Sequence, residues 1–217
     1  MTELMLKFIA ALGMTGHPYG LGGLALLILY IIQSEVRFGA EARSSRAGAT
    51  DRHSSLLLSL ATVVPILGFA LAMKLAGPGL ASPQALIGRL LGPTLPGLPS
   101  IAWAGAAVGL AGLLLRLWAV LTLRHRYTRT LLIHEGHTIE RGGPYQFVRH
   151  PGYLGSLLCL NAIALTSGSF PVVVASLLAT IPAYLYRIRA EDRMLSALGG
   201  AYEDYRREVA ALLPFVF

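Results

Sequence analysis

The chain has 217 residues, of which 54% are hydrophobic and only 13% charged, and its mean hydropathy is +0.61. A soluble domain carries about 25% charged residues, so this composition excludes an ordinary soluble domain and indicates an integral membrane protein. The net charge of +7 would favour a nucleic acid partner in a soluble protein. Because basic residues also concentrate in the cytoplasmic loops of membrane proteins, we expect a lipid bilayer and no nucleic acid.

The N-terminal half contains two apolar segments that predict membrane spans. The first covers residues 20–33 and extends to about residue 38, and the second covers residues 56–76. Residues 77–100 are rich in proline and glycine, which predicts a structured loop without a long helix. We therefore group residues 1–100 as an N-terminal membrane region.

The C-terminal half contains three more apolar segments, at residues 101–123, 153–168 and 171–186. The last two are near the lower limit of about 17 residues for a span. The turn sequence Ser167-Gly168-Ser169 joins them, which predicts a tight helical hairpin. From residue 187 onward the chain is charged and has helical periodicity. The predicted fold class is all-α, an integral membrane bundle of about five helices whose core region is 101–217.

The arginines predict the orientation of these spans. They are frequent after the first span, after the third span and in the tail, whereas the loop after the second span holds only Arg89. The two basic loops contain Arg37, Arg43, Arg46 and Arg52, and then Arg124, Arg126, Arg129, Arg141 and Arg149. By the positive-inside rule, the N-terminus lies outside and the C-terminal tail lies in the cytoplasm. We expect a multi-pass protein of a bacterial inner membrane.

The stretch RGGPYQFVRHPGYLG, residues 141–155, stands at the start of the fourth span. Its Gly-Gly-Pro-Tyr segment predicts a turn, and Pro151 suits the first turn of a helix. The free N–H groups of such a helix start favour an anionic ligand. Arg149, His150 and Tyr153 add donors, so the motif predicts an anion-tolerant pocket at the membrane face.

Charged residues in and after the spans supply further candidates. Arg187 and Glu191 are four residues apart and share a helix face, where they form either a surface ion pair or the opposite pole of that pocket. Arg116 lies inside the third span, where it either extends to the membrane surface or faces a polar cavity. His125, His134, His137 and His150 lie in or beside one loop, but no cysteine or carboxylate set completes a familiar zinc site, and we expect no metal.

These residues resemble the isoprenylcysteine carboxyl methyltransferase family and its bacterial relatives. The resemblance covers about residues 110–217 and rests on RHPGYLG after GPY, then RIRAEDRM, LGGAYEDY and LLPF. It implies S-adenosylmethionine as cofactor, and a cytoplasmic cofactor-binding region in the C-terminal half. By the resemblance, the cofactor would contact His137, Thr138, Ile139, Glu140, Tyr145, His150, Pro151, Gly152, Tyr153 and Glu191.

The resemblance also implies where the chemistry takes place. Arg187 matches an arginine near the methyl acceptor, and Arg116 with Trp118 matches an Arg-x-Trp pattern of bacterial members, so these arginines are the expected catalytic residues. Asp192 stands where a second glutamate is common. The expected function is methyl transfer to a membrane-embedded or amphiphilic acceptor. A sterol-type reductase using a nicotinamide cofactor, and a non-enzymatic transporter or sensor, stay open as alternatives.

Overall fold

The computed structural model describes residues 18–35, 52–75, 98–123, 139–196 and 199–213, and no strand occurs in these ranges. The helices are α1 (Pro18–Glu35), α2 (Arg52–Leu75), α3 (Leu98–Leu123), α4 (Pro151–Thr166), α5 (Phe170–Leu195) and α6 (Gly200–Glu208), with a short 3-10 helix at Gly143–Gln146. This architecture confirms the predicted all-α membrane bundle. The proline- and glycine-rich stretch 77–97 and most of the basic loops lie outside the described residues.

The five apolar helices correspond to the five predicted spans. By length and apolarity, three are able to cross a membrane, at His53–Met73, Ser100–Leu123 and Phe170–Leu195, and two shorter apolar stretches lie at Leu21–Ser34 and Pro151–Thr166. Helix α5 continues nine residues beyond the predicted end of the span at 186, into the charged segment for which the sequence shows helical periodicity. The segment RIRAEDRML has no glycine or proline to stop a helix, so Arg187 and Glu191 stand on the same continuous helix as the span.

The helices bury one side and leave the other apolar and open. Phe69 of α2, Leu113 of α3, Ile163 of α4 and Tyr184 of α5 belong to one buried cluster. On the outer surface, large apolar side chains such as Leu178 are up to 71% exposed. An apolar outer surface of this kind is suited to lipid and not to water.

Helices α3 and α4 approach each other through glycines. A Cβ added to Gly112 would lie 2.7 Å from the carbonyl oxygen of Gly155, and a Cβ on Gly155 would lie 2.8 Å from the backbone nitrogen of Arg116. Small residues allow two membrane helices to pack backbone to backbone. This contact fixes Arg116 against the first two turns of α4.

A buried polar cluster fixes α4 against α5. The Nδ2 group of Asn161 donates to the Thr180 hydroxyl at 3.1 Å, and the Ser176 hydroxyl donates to Asn161 Oδ1 at 2.8 Å. At the end of the hairpin, Ser169 caps α5 by accepting a 3.5 Å hydrogen bond from the Val172 N–H. These bonds set the register between the two helices and so determine which residues of α4 and α5 face each other at the membrane surface.

Candidate active site

The glycine-proline motif forms a tight turn before α4. The Gly142 N–H donates to Glu140 Oε1 at 2.9 Å, and Gly143 adopts a left-handed φ of 55°. A Cβ on Gly143 would approach the Thr122 hydroxyl at 2.8 Å, so glycine is required here by backbone conformation and by space. The turn packs the motif against the end of α3, with Pro144 buried beneath it.

His150 and Pro151 start α4 as the sequence predicts. Pro151 is the first helical residue, and the His150 carbonyl accepts hydrogen bonds from the N–H groups of Tyr153 at 3.1 Å and Leu154 at 3.0 Å. The rings of His150 and Tyr153 stack at 5.6 Å between centroids, with an angle of 13° between their planes. The two side chains therefore form one flat aromatic surface at the beginning of the helix.

The Tyr153 hydroxyl lies between Arg187 and Glu191. It donates to Glu191 Oε2 at 2.6 Å and accepts from Arg187 Nε at 3.1 Å. Arg187 is buried, with 2% exposure, whereas the Glu191 side chain is 25% exposed. The arrangement thus has an inner positive end and an outer negative end, joined by one phenol.

Arg187 also has partners on a distant helix. Its Nη1 group donates to the Ser54 hydroxyl at 2.8 Å and to the Ser55 hydroxyl at 3.1 Å, both at the start of α2. Ser54 itself is 1% exposed. Two adjacent serines before an apolar run were the only signal in the sequence. The N-terminal region therefore contributes directly to holding this arginine.

Asp192 is the centre of a second polar group. His150 Nε2 lies 2.8 Å from Asp192 Oδ1, the Arg149 guanidinium donates to Oδ2 at 3.2 Å, and the Tyr202 hydroxyl also donates to Oδ1. Burial and the adjacent Asp192 carboxylate raise the pKa of Tyr202 well above its ordinary value. His150 Nδ1 is 3.9 Å from Glu191 Oε2, so the imidazole stands between two carboxylates.

Residues 209–213, the tail segment, cover the motif. The N–H groups of Arg149 and His150 donate to the carbonyl oxygens of Ala210 and Ala211 at 2.8 and 3.0 Å. Arg149 also donates to the Val209 carbonyl at 2.5 Å. The guanidinium predicted to face an anionic ligand is instead 9% exposed and binds Asp192 and the tail segment.

Helix α6 packs inside this assembly and not at the lipid surface. Tyr202 and Tyr205 are 2% and 3% exposed, so both rings lie inside the protein and not at a lipid surface. The Tyr205 hydroxyl donates to the Tyr145 carbonyl at 2.6 Å, and the Arg141 guanidinium lies over the Tyr205 ring at 5.2 Å. Burial raises the pKa of Tyr205 to about 12. Both tyrosines therefore stay protonated and act as donors.

Arg116 faces the interior of the bundle. Its exposure is 9%, its Nη1 group donates to the Ser156 hydroxyl at 2.6 Å, and its guanidinium lies 5.5 Å from the centre of the Tyr30 ring. Ser156 is one turn after Tyr153 on α4, and the Tyr153 ring meets the Tyr184 ring edge to face at 5.8 Å. Of the two readings that the sequence left open, the structure favours the interior over the membrane surface.

The remaining predicted residues are divided between the described and undescribed parts of the chain. Ile139 and Glu140 are partly buried beside the turn, and Gly152 is partly buried in the first turn of α4. His137 and Thr138 lie outside the described residues, as do His125 and His134. Within the described ranges, no cluster of three His, Cys, Asp or Glu side chains has an arrangement that could hold a metal.

Known proteins share the region that contains this site. The model of the isoprenylcysteine carboxyl methyltransferase family matches residues 105–197. A protein of Oryza sativa subsp. indica, named "Probable protein-S-isoprenylcysteine O-methyltransferase", is 29% identical over 136 residues, covering 61% of this chain and 71% of that protein. The cobalt-zinc-cadmium resistance protein CzcN of Cupriavidus metallidurans is 29% identical over 119 residues, covering 55% of this chain and 50% of that protein.

A solved structure shares the fold. The eukaryotic intramembrane Ras methyltransferase ICMT superposes with a TM-score of 0.55 at 22% identity, covering 73% of this chain and 52% of that one. At this identity the likeness concerns the fold alone, and the chain spans only about half of that protein's length. The comparisons give no support to a nicotinamide-dependent reductase or to a transporter or sensor.

Proposed function

We propose that the chain is an integral-membrane methyltransferase of the isoprenylcysteine carboxyl methyltransferase family and that it uses S-adenosylmethionine; the match of residues 105–197 to that family's model supports this. The observation that carries the proposal is the Tyr153 hydroxyl between the buried Arg187 and the partly exposed Glu191. A positively charged cofactor and an anionic acceptor can approach such a site from opposite ends. We propose residues 101–217 as the methyltransferase core, held in place by the region before it.

The described side chains suit the cationic and hydroxyl-bearing parts of S-adenosylmethionine. Glu191 offers a carboxylate for an amino group or for ribose hydroxyls, and the stacked His150 and Tyr153 rings offer a π-face for a sulfonium. The first turn of α4 offers the Gly152 N–H for the cofactor carboxylate, because Pro151 has no N–H and the Tyr153 N–H donates to the His150 carbonyl. His137, Thr138, Ile139, Glu140 and Tyr145 complete the proposed binding set.

Bound S-adenosylmethionine supplies a methyl group on a sulfonium, which is reactive toward nucleophiles. The residues of the chain then have mainly to position the acceptor and to exclude water, because methyl transfer cancels charge and depends on alignment. A carboxylate acceptor needs no general base. We propose that Arg187 holds such a carboxylate, since Ser54, Ser55 and Tyr153 fix its guanidinium in a buried position.

The acceptor is proposed to be an amphiphile with an anionic head, of the isoprenylcysteine type that the rice relative's name describes. Arg116 supplies a second positive charge within the bundle, buried between α1 and α4, where it contacts Tyr30 and Ser156. An ionisable side chain at such a depth commonly marks a substrate path. We propose that Arg116 guides the polar head of the acceptor toward Arg187.

We propose five spans with the N-terminus outside and the site facing the cytoplasm of a bacterial cell. The support is the alternation of arginines between successive loops. Reporter enzymes fused after residue 217 and at residue 85 test the orientation. The C-terminal fusion should be active only with a cytoplasmic reporter, and the fusion at residue 85 only with a reporter that works outside the cytoplasm. The opposite result for either fusion would contradict the proposed topology.

Calorimetry on the purified chain tests the cofactor. S-adenosylmethionine and its demethylated product S-adenosylhomocysteine should bind, and NADPH should not. Binding of NADPH without binding of S-adenosylhomocysteine would overturn the proposal and revive the reductase alternative. Adding a synthetic farnesylcysteine and following its methyl ester then tests the acceptor class separately from the cofactor.

A further inference from the structure

The structure contains an open cleft lined by arginines beside the candidate active site. It has a volume of about 400 Å³ and is lined by Arg149, Arg189, Asp192, Arg193, Arg206 and Ala211, which we call the basic cleft. Four arginines and one aspartate give the lining a formal charge of +3. We propose that the basic cleft binds the phosphate of an anionic phospholipid headgroup.

The positive charge of the basic cleft results from the folding and not from the average composition. Residues 187–213 contain five arginines and five acidic residues, so this part of the chain is neutral overall. The fold directs the Asp192 carboxylate inward to His150, Arg149 and Tyr202. Glu203 partly offsets the positive charge on the Arg206 side of the basic cleft, since its carboxylate is 3.9 Å from the Arg206 guanidinium. Arg189 and Arg193 are exposed and lie one turn apart on α5.

The position of the basic cleft along α5 points to lipid as the source of the anion. Leu178, which is 71% exposed, and Tyr186, which is 42% exposed, lie on the same face of α5 as the two arginines. The surface of this face therefore changes from aliphatic to aromatic to basic along the helix. At 1.5 Å per residue, Arg189 is about 5 Å and Arg193 about 10 Å beyond Tyr186. Tyrosine at that place marks the membrane interface, so the arginines stand at headgroup level.

The chemistry of the lining favours a phosphate. Guanidinium groups form bidentate hydrogen bonds with phosphate oxygens, and several arginines next to a membrane span attract anionic lipids. A glycerol phosphate headgroup is small enough for a cleft of about 400 Å³. A soluble phosphate would share these contacts but would lack the acyl chains that the apolar surface around Leu178 can contact.

Lipid binding to the full chain without added cofactor tests the proposal. Phosphatidylglycerol, phosphatidylcholine and sn-glycerol 3-phosphate are titrated in parallel into the detergent-solubilised protein, and bound ligand is counted by native mass spectrometry. Phosphatidylglycerol should bind most tightly. The double variant R189Q/R193Q should bind it roughly thirty-fold more weakly, and R206Q roughly five-fold more weakly.

Arg207 provides the matched control. Its side chain is 80% exposed and pairs with Asp204 at 4.0 Å, outside the basic cleft. R207Q should therefore bind phosphatidylglycerol as the unaltered chain does. Equal losses in R207Q, or unchanged binding in both the double variant and R206Q, would overturn the proposal. Glycerol phosphate binding as tightly as the lipid would also overturn it, because the site would then serve a soluble anion.

Discussion

At the scale of single residues, the site is organised by a phenol and not by a direct ion pair alone. Tyr153 donates to Glu191 and accepts from Arg187, so each charged group is held in position by a neutral one. Because the phenol belongs to α4 and both charged residues belong to α5, the geometry depends on two helices. The different burial of the two charged groups also separates their roles.

The first prediction concerns those separate roles. Replacing Glu191 by Gln removes a charged hydrogen-bond acceptor and should weaken S-adenosylhomocysteine binding roughly ten- to a hundred-fold. Replacing Arg187 by Ala should leave that affinity within a few-fold and sharply lower methyl transfer. Calorimetry and turnover on both variants measure the two effects.

A control for Arg187 comes from α2. Ser54→Ala removes one hydrogen bond to the guanidinium but keeps its charge. It should cost about 1 kcal/mol of stability and leave turnover within a few-fold. If Arg187→Ala and Glu191→Gln give small and similar losses, the pair is a structural ion pair and our assignment of roles is wrong.

The spacing of Arg187 and Glu191 was sufficient to predict that they share a helix face, since helical periodicity is a local property. The contact of Arg187 with Ser54 was not predictable, because it joins residues 133 positions apart. Likewise, the sequence indicated Arg149 as a donor to a ligand, whereas its guanidinium is occupied by Asp192 and the tail segment. Such long-range pairings depend on how helices pack, and a single sequence does not encode that in any local pattern.

At the scale of helices, the spans were predictable because length and apolarity determine them. The predicted span ends at residue 186, where the charges begin, and α5 continues from there to Leu195 through the segment whose helical periodicity the sequence shows. A helix has no physical reason to stop at a membrane surface if its residues are good helix formers. This continuity places Arg187 and Glu191 on a rigid element that also carries Asn161's partners Ser176 and Thr180.

The second prediction concerns the contact of α3 with α4. Gly112→Ala would place a Cβ 2.7 Å from the Gly155 carbonyl oxygen and 2.8 Å from Leu158 Cβ. Such overpacking should lower the free energy of unfolding by about 1–3 kcal/mol and displace Arg116. Thermal unfolding in detergent measures the loss.

Gly152→Ala is the matched control on the same helix pair, because its added Cβ would lie 3.9 Å from Ala119 Cβ, an ordinary contact distance. It should be neutral or stabilising by up to about 1 kcal/mol, as expected for glycine replaced by alanine in a helix. Equal stability of the two variants would mean that α3 and α4 can separate without penalty.

At the scale of the whole molecule, segments that are far apart in the sequence enclose the candidate site. The start of α2 holds Arg187, the motif and α5 supply the central contacts, and the tail segment covers the motif. Leu212 is 8% exposed and packs with Ile188 and Ala211, whereas the adjacent Leu213 is 50% exposed. The enclosure of the site therefore depends on the inward-facing side chains of the tail segment.

The third prediction tests whether packing of the tail segment keeps the site enclosed. Leu212→Asp places an unpaired charge against Ile188 and should release the tail segment. We expect the free energy of unfolding to fall by about 3–5 kcal/mol. Cofactor affinity should fall by more than ten-fold while membrane insertion is retained. Hydrogen exchange at the N–H groups of Arg149 and His150 reports the release directly.

Leu213→Asp is the paired control and should change stability by less than about 0.5 kcal/mol, because its side chain is already open to solvent. Cofactor affinity in this variant should equal that of the unaltered chain. Undiminished exchange protection at residues 149 and 150 in Leu212→Asp would show that the tail segment is not what holds the motif.

The hydrogen bonds of the tail segment to Arg149 and His150 also determine the order in which parts of the structure form during synthesis. A ribosome makes residues 209–213 after all five apolar helices, so the nascent chain enters the bilayer before its motif is covered. During that interval the N–H groups of Arg149 and His150 lack the carbonyl oxygens of Ala210 and Ala211 as acceptors. If the proposed function holds, insertion into lipid precedes completion of the cofactor site, and a chain truncated before residue 209 should insert into the membrane without binding S-adenosylmethionine.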